Sequence, residues 1–223
     1  MSRLPIRGGE RVVFAGDSIT DADRLAFPPL GQGFVQRFVD LVRHQHPERE
    51  IHWVNRGVGG DITSDLRLRW ERDVLAERPD WLVVMIGIND CVGMLGYPRQ
   101  EQLDRYRDEL SAMLDRARAL RPRLVLMDPF YVATPSGPWA ANPAQIEVLR
   151  RLVGYQRVLA ELAGQRGALH VRTQHAFARQ LAFRPPSELA PEPVHPNPSG
   201  HHLIALELHR ALCAGPRPRR ARL

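Results

Sequence analysis

Ser18 stands directly behind an aspartate in the stretch FAGDSITDADR, residues 14–24, where a short apolar run gives way to polar residues. A serine hydroxyl is a weak nucleophile at neutral pH, and acyl transfer requires a neighbouring imidazole to take its proton. The chain carries a candidate far downstream: His195, in VHPNPSGHHLIA (194–205), lies in a loop just ahead of an apolar C-terminal segment. Each also has a plainer reading: Ser18 could cap a helix, and His195 could be structural.

Apolar runs at 11–15, 51–55, 81–87, 123–128 and 168–171 read as strands. Between them, 31–45, 62–76, 100–120 and 145–166 repeat apolar residues at spacings of three and four, as core-facing helices require. In the fourth, Ile146, Leu149, Val153, Leu159 and Leu162 are expected to make one face, and a last helix is expected over 201–213. Strand–helix alternation predicts a parallel sheet covered by helices on both sides. The run WLVVMIG (81–87) has almost no polar alternation, the pattern of a central strand buried on both faces. Segments 128–144 and 184–198 read as long loops, the former as part of a substrate wall.

In open parallel sheets, functional residues collect beyond the carboxyl ends of the strands. Here the first three strands are followed by GDSIT, NRGVGGD and GINDC. Gly57, Gly59 and Gly60 could serve only a tight turn, and Asn89 with Asp90 could cap a helix. Taken together with His195, the blocks supply the two parts acyl transfer needs.

The blocks GDSIT, NRGVGG, GIND and VHPN, in this order and spacing, resemble the SGNH (GDSL-type) hydrolases. The longer stretches GERVVFAGDSIT, VNRGVGGDITSDLRLRWERDVL, PDWLVVMIGIND, DPFY and VHPNPSGH are most similar to the bacterial acetylxylan esterase branch. The resemblance implies an α/β fold: a three-layer α/β/α sandwich around a five-stranded parallel sheet, flavodoxin-like. It makes Ser18 the nucleophile and His195 the general base that later protonates the leaving alcohol. It also makes the Ser18 N–H, the Gly60 N–H and the Asn89 side-chain amide an oxyanion hole. One departure stands out: the family usually has aspartate three residues before the histidine, where this chain has Glu192. Glutamate can orient the imidazole and stabilise its charged form as aspartate does, but it is one methylene longer, so as third triad member it needs the loop set back or the carboxylate bent; the plainer reading is a solvated loop residue between two prolines, with His195 oriented by a backbone carbonyl or water.

Composition limits the alternatives. No lysine occurs, so the formal net charge of +6 comes from arginine, and Arg217, Arg219, Arg220 and Arg222 crowd the tail. That distribution, without interleaved aromatics, argues against nucleic acid. Cys91 and Cys213 are too few and too distant for a disulfide framework or a zinc site. His201 and His202 beside His195 lack the carboxylate-rich or cysteine pattern of a metal centre, and neither metal nor cofactor is expected. No run reaches the length of a membrane span or of a signal-peptide core, so the expectation is a cytoplasmic protein with no membrane partner. Residues 1–215 are expected to form one domain and 216–223 a disordered Arg/Pro-rich tail. A homo-oligomer stays open, because helix faces toward solvent and toward a partner chain look alike.

Asp17 and Asp90 read as structural acids, His170 and His175 as ordinary histidines, and Cys91 as a neighbour of the pocket that takes no part in it. Phe130, Tyr131 and Trp139 could offer a sugar an aromatic platform or fill their own loop's core. The leading function is a serine esterase removing small acyl groups, acetyl first among them, from a hydroxylated substrate such as a xylo-oligosaccharide. The alternatives are a lysophospholipase or thioesterase of the same fold, and a carbohydrate-binding protein that has lost turnover.

Overall fold

The computed structural model describes residues 4–93 and 98–215. The tail expected over 216–223 lies outside the described residues. In chain order the elements are β1 (Arg11–Gly16), α1 (Ser18–Asp21), α2 (Phe34–Gln45), β2 (His52–Gly57), α3 (Thr63–Arg69), β3 (Trp81–Met85) and α4 (Ile88–Gly93). They continue with α5 (Arg99–Ala117), β4 (Arg123–Met127), α6 (Pro143–Arg166), β5 (Leu169–Val171), α7 (Thr173–Leu181) and α8 (Pro198–Ala214). The five strands form one parallel sheet in the order β2-β1-β3-β4-β5. On one face α2 packs on α8 and α8 on α7; on the other, α3 packs on α5 and α5 on α6. The three-layer arrangement expected from the sequence is the one observed.

β3 is buried along its whole length, and β1 along all but its first residue, because helices cover both of their faces. α2 buries Phe34, Val35, Phe38, Val39 and Val42, a stripe at helical spacing, and its Phe34 and Phe38 meet Phe14 of β1 edge-on. The strand order reverses direction between β1 and β3, and ligands of open α/β sheets bind at such a switch point. The register sets Gly16 of β1 opposite both Gly57 and Met85, so the three strands end level. Three blocks separate in sequence thereby become neighbours in space.

The helix expected over 62–76 is interrupted. After α3 the chain takes a π-helical turn over Trp70–Val74 and a 3-10 turn over Leu75–Glu77. The inserted residue keeps Trp70 and Val74 buried while Arg69 also turns inward. The expected face of α6 is corrected as well. Val148, Leu152, Tyr155, Leu159 and Leu162 enter the core, while Val153 is half exposed. Ile146, Leu149 and Val153 form a second stripe that walls a groove. α4 and α7 were not anticipated, since α7 commits only Thr173, Ala176, Phe177 and Leu181 to burial. The 128–144 loop closes on itself through an isolated bridge between Thr134 and Ala140.

Tyr106 of α5 fixes the end of β3. Its buried ring lies against Gly87, whose φ is +124°, and a Cβ there would fall within 2.8–3.0 Å of that ring. Its hydroxyl donates to the Ile86 carbonyl at 3.0 Å. We expect Tyr106→Phe, which strands that carbonyl, to cost about 1–3 kcal/mol in urea unfolding; unchanged stability would show that the bond does not hold the strand end.

Candidate active site

α1 begins immediately where β1 ends, and Asp17 makes that possible. Its buried carboxylate accepts the Ile19 N–H at 3.0 Å and caps the single helical turn. Ser18 therefore occupies the first helical position, half buried, with its side chain free for another task. The turn sits close on the neighbouring strand: a Cβ on Gly57 would lie 2.2 Å from the Asp21 nitrogen. Asn55, buried at the end of β2, locks the turn by donating to the carbonyls of Thr20 and Leu30 at 2.7 and 2.8 Å, while its oxygen accepts the Gly57 N–H.

Ser18 Oγ meets His195 Nε2 at 2.9 Å, and His195 Nδ1 meets Glu192 Oε1 at 2.6 Å. The extra methylene of glutamate is accommodated by bending: the side chain folds back over its own loop. Oε1 also accepts the His195 N–H at 2.7 Å, and Oε2 accepts the Val194 N–H at 2.9 Å. Four consecutive residues thus hold the acid and the imidazole together. Below them Asn197 caps α8 by accepting the Ser199 and Gly200 N–H groups, and its own N–H bonds to the Leu189 carbonyl.

Gly60, with φ +84°, turns the chain beyond β2, a conformation that glycine adopts without strain. A Cβ on its neighbour Gly59 would lie 4.0 Å from the Cβ of Ser18, so this turn flanks the serine. Asn89 donates one amide hydrogen to the Asp61 carbonyl at 2.9 Å. Among the described residues no protein acceptor takes the N–H of Ser18 or of Gly60, or a second hydrogen of the Asn89 amide. Unpaired donors beside a hydroxyl bonded to imidazole can stabilise a developing oxyanion.

Several supports were not visible in the sequence. Arg69, buried, donates to Asp61 Oδ2 at 2.7 Å, to the Arg56 carbonyl at 2.8 Å and to the Gly16 carbonyl at 3.2 Å. Asp90 accepts the Thr63 N–H with both oxygens at 3.1 Å, so it anchors α3 instead of the helix it belongs to. His201 accepts the Phe34 N–H through Nδ1 at 3.1 Å, starting α2. Burial, reinforced by the charges of Arg37 and His195, brings His201 down to about 4, so it stays neutral and its Nδ1 remains an acceptor. Cys91 faces α6, its Sγ 3.8 Å from the Val148 carbonyl, and burial pushes its thiol up to about 12. His170 Nε2 bonds Asp128 Oδ1 at 2.6 Å. Phe130 is buried in a stack on Phe177 and Tyr131 is buried beside it, which leaves Trp139 as the exposed aromatic of that loop. Among the described residues no group of three His, Cys, Asp or Glu could hold a metal ion, and no helix is long and apolar enough to cross a membrane.

Burial pushes the Asp17 carboxyl up to about 7; the Ile19 N–H opposes that shift and the charges of Asp90 and Asp61 add to it. The folded chain then binds this proton more tightly than the unfolded chain, so Asp17 costs stability as pH rises from the ordinary carboxylate range through 7. Asp17→Asn keeps an oxygen for the Ile19 N–H. We expect it to raise the melting temperature at pH 8 and to do so clearly less at pH 5; equal shifts at both pH values would contradict the buried-charge account.

The sequence model of the GDSL-like lipase/acylhydrolase family matches residues 14–203. An acetylxylan esterase of Geobacillus stearothermophilus is 35% identical over 212 residues, 91% of this chain and 93% of that protein. A crystallised mutant of a Geobacillus acetyl-xylooligosaccharide esterase superposes with a TM-score of 0.82 at 35% identity, covering 93% of this chain and 95% of the other. An α/β hydrolase from the metagenome of Lake Arreo, Spain, gives 0.81 at 28% identity, covering 96% and 100%.

Proposed function

Because the chain belongs to the GDSL-like lipase/acylhydrolase family, we propose that it is a serine esterase that removes acetyl groups from xylo-oligosaccharides through Ser18, His195 and Glu192. The observation that carries this reading is the unbroken hydrogen-bonded line from Ser18 Oγ through His195 to Glu192, beside donors without acceptors.

His195 Nε2 takes the Ser18 proton as Oγ attacks the ester carbonyl, and the carbonyl electron pair moves to its oxygen. The N–H groups of Ser18 and Gly60 and the Asn89 amide receive that charge; each such donor contributes roughly 100- to 1,000-fold in rate. Glu192 stabilises the imidazolium and fixes which ring nitrogen carries the hydrogen. As the tetrahedral intermediate collapses, His195 gives its proton to the departing alcohol and the acetyl group remains on Ser18. Water, deprotonated by His195, then repeats the sequence and releases acetate.

The acetylated sugar comes from the similarity to the Geobacillus enzymes. A cytoplasmic location fits short imported oligosaccharides and not intact polymer. A binding protein without turnover would have no use for an assembled Ser–His–carboxylate line.

Initial rates on nitrophenyl esters from acetyl to octanoyl test the reading. Wild type should prefer acetyl and Ser18→Ala should show no turnover; octanoyl preference would move the substrate to lipids or thioesters, and full activity in Ser18→Ala would end the proposal. Glu192→Gln should lower kcat by at least about a hundredfold, in line with loss of the orienting acid elsewhere. A fall under about threefold would favour a Ser–His dyad.

A further inference from the structure

Ser18 and Asp21 stand three residues apart on the single turn of α1, a spacing that puts both on one face. Asp21 is held from behind. Its N–H donates to the Asp17 carbonyl at 2.9 Å, its Oδ1 pairs with Arg24 Nε at 3.0 Å, and the same Nε donates to the Gly57 carbonyl at 2.7 Å. Arg24 thereby ties the carboxylate to the base of the turn that carries Gly59 and Gly60. The other oxygen faces that turn: a Cβ on Gly59 would lie 4.0 Å from Asp21 Oδ2 and 4.0 Å from the Cβ of Ser18.

The absent side chain of Gly59, an exposed residue, therefore leaves an open notch with the nucleophile on one side and a carboxylate on the other. The fold does not ask for glycine here. Gly59 lacks the left-handed φ of Gly60, and 4.0 Å is ordinary van der Waals contact, so an alanine would fit. What the glycine preserves is space beside Ser18. The Asp21 side chain keeps 24% of its surface exposed, and partial burial pushes its carboxyl above the ordinary range even with Arg24 beside it. Added hydrogen-bond donors favour the charged form of such a group and offset its desolvation. Only one half of an acetyl ester can supply a donor. Once the carbonyl oxygen faces the N–H groups, the acyl half presents a methyl group, whereas the alcohol half of an acetylated sugar presents hydroxyls next to the ester. A longer acyl chain in the notch would desolvate the carboxylate and give nothing in return.

Resting on the esterase reading above, we propose that this notch receives a free hydroxyl of the leaving sugar and that Asp21 Oδ2 accepts its hydrogen, so that Asp21 selects esters of polyols over esters of simple alcohols. The test measures kcat and KM for acetylated xylobiose and for ethyl acetate in wild type, Asp21→Ala, Asp21→Asn and Gly59→Ala. Loss of a hydrogen bond to a charged group should lower the ratio of kcat/KM for the sugar ester to that for ethyl acetate roughly tenfold in Asp21→Ala, mainly through KM. Asp21→Asn should recover part of it, because an amide oxygen still accepts. Gly59→Ala should melt no lower than wild type and yet lower the same ratio, because its methyl group fills the notch. A ratio that does not move in Asp21→Ala, whether both rates fall together or neither falls, overturns the proposal, and so does a wild-type ratio in Gly59→Ala. Ethyl acetate turnover that survives in Ser18→Ala refutes the esterase reading itself. In that event, calorimetric titration with unacetylated xylobiose still decides the subsite: binding in wild type that is lost in Asp21→Ala supports it, and equal binding in both, or none in wild type, refutes it.

Discussion

The guanidinium of Arg69 ties together three chain segments at the mouth of the site. It bonds the last carbonyl of β1, the carbonyl of Arg56 in β2, and the carboxylate of Asp61 just past the Gly59–Gly60 turn. Both ionic partners are buried, and desolvation pushes the Asp61 carboxyl above its ordinary range despite the arginine beside it. Such a pair adds little net stability, because taking two charges out of water costs about what their attraction returns. Its effect is geometric. Asp61 also presents its carbonyl to the Asn89 amide, so one cation sets the relative heights of the segments carrying Ser18, Gly60 and Asn89.

The fold was legible because burial writes itself into residue type. A parallel strand covered on both faces cannot hide as anything but an apolar run, and WLVVM (81–85) is one. The candidate site was legible for a different reason: the blocks beyond β1, β2 and β3 are polar and glycine-rich where connections could have been anything. Arg69 was not legible. On a chain with 31 basic residues an arginine at the end of an amphipathic helix reads as solvated, and only the π-helical turn that follows shows why it points inward. The face of α6 was misread because Ile146, Leu149 and Val153 keep helical spacing while lining a groove instead of the core. Periodicity records which residues avoid water, not which surface they avoid it against.

Around Ser18 the polar supports divide by charge. Asp17, Asp61 and Asp90 each stand in an environment that disfavours the ionised carboxylate; Asp17 and Asp90 accept N–H groups at helix starts, and Asp61 accepts from the Arg69 guanidinium. His201 is kept neutral and used in the same way. The acid that faces the imidazole is the one placed differently: Glu192 sits near the surface, with water and two backbone N–H groups available to it. Structural acids are sealed in, and the acid paired with a base is left near the surface.

That placement has a consequence for how such a protein can change. Because Glu192 is solvated by its own loop, the orientation of His195 is encoded almost entirely within residues 192–195. The neighbouring loop reaches this unit through one backbone bond, from the Val132 N–H to the Pro193 carbonyl. Sequence variation outside 192–195 can therefore accumulate without altering the base that serves Ser18.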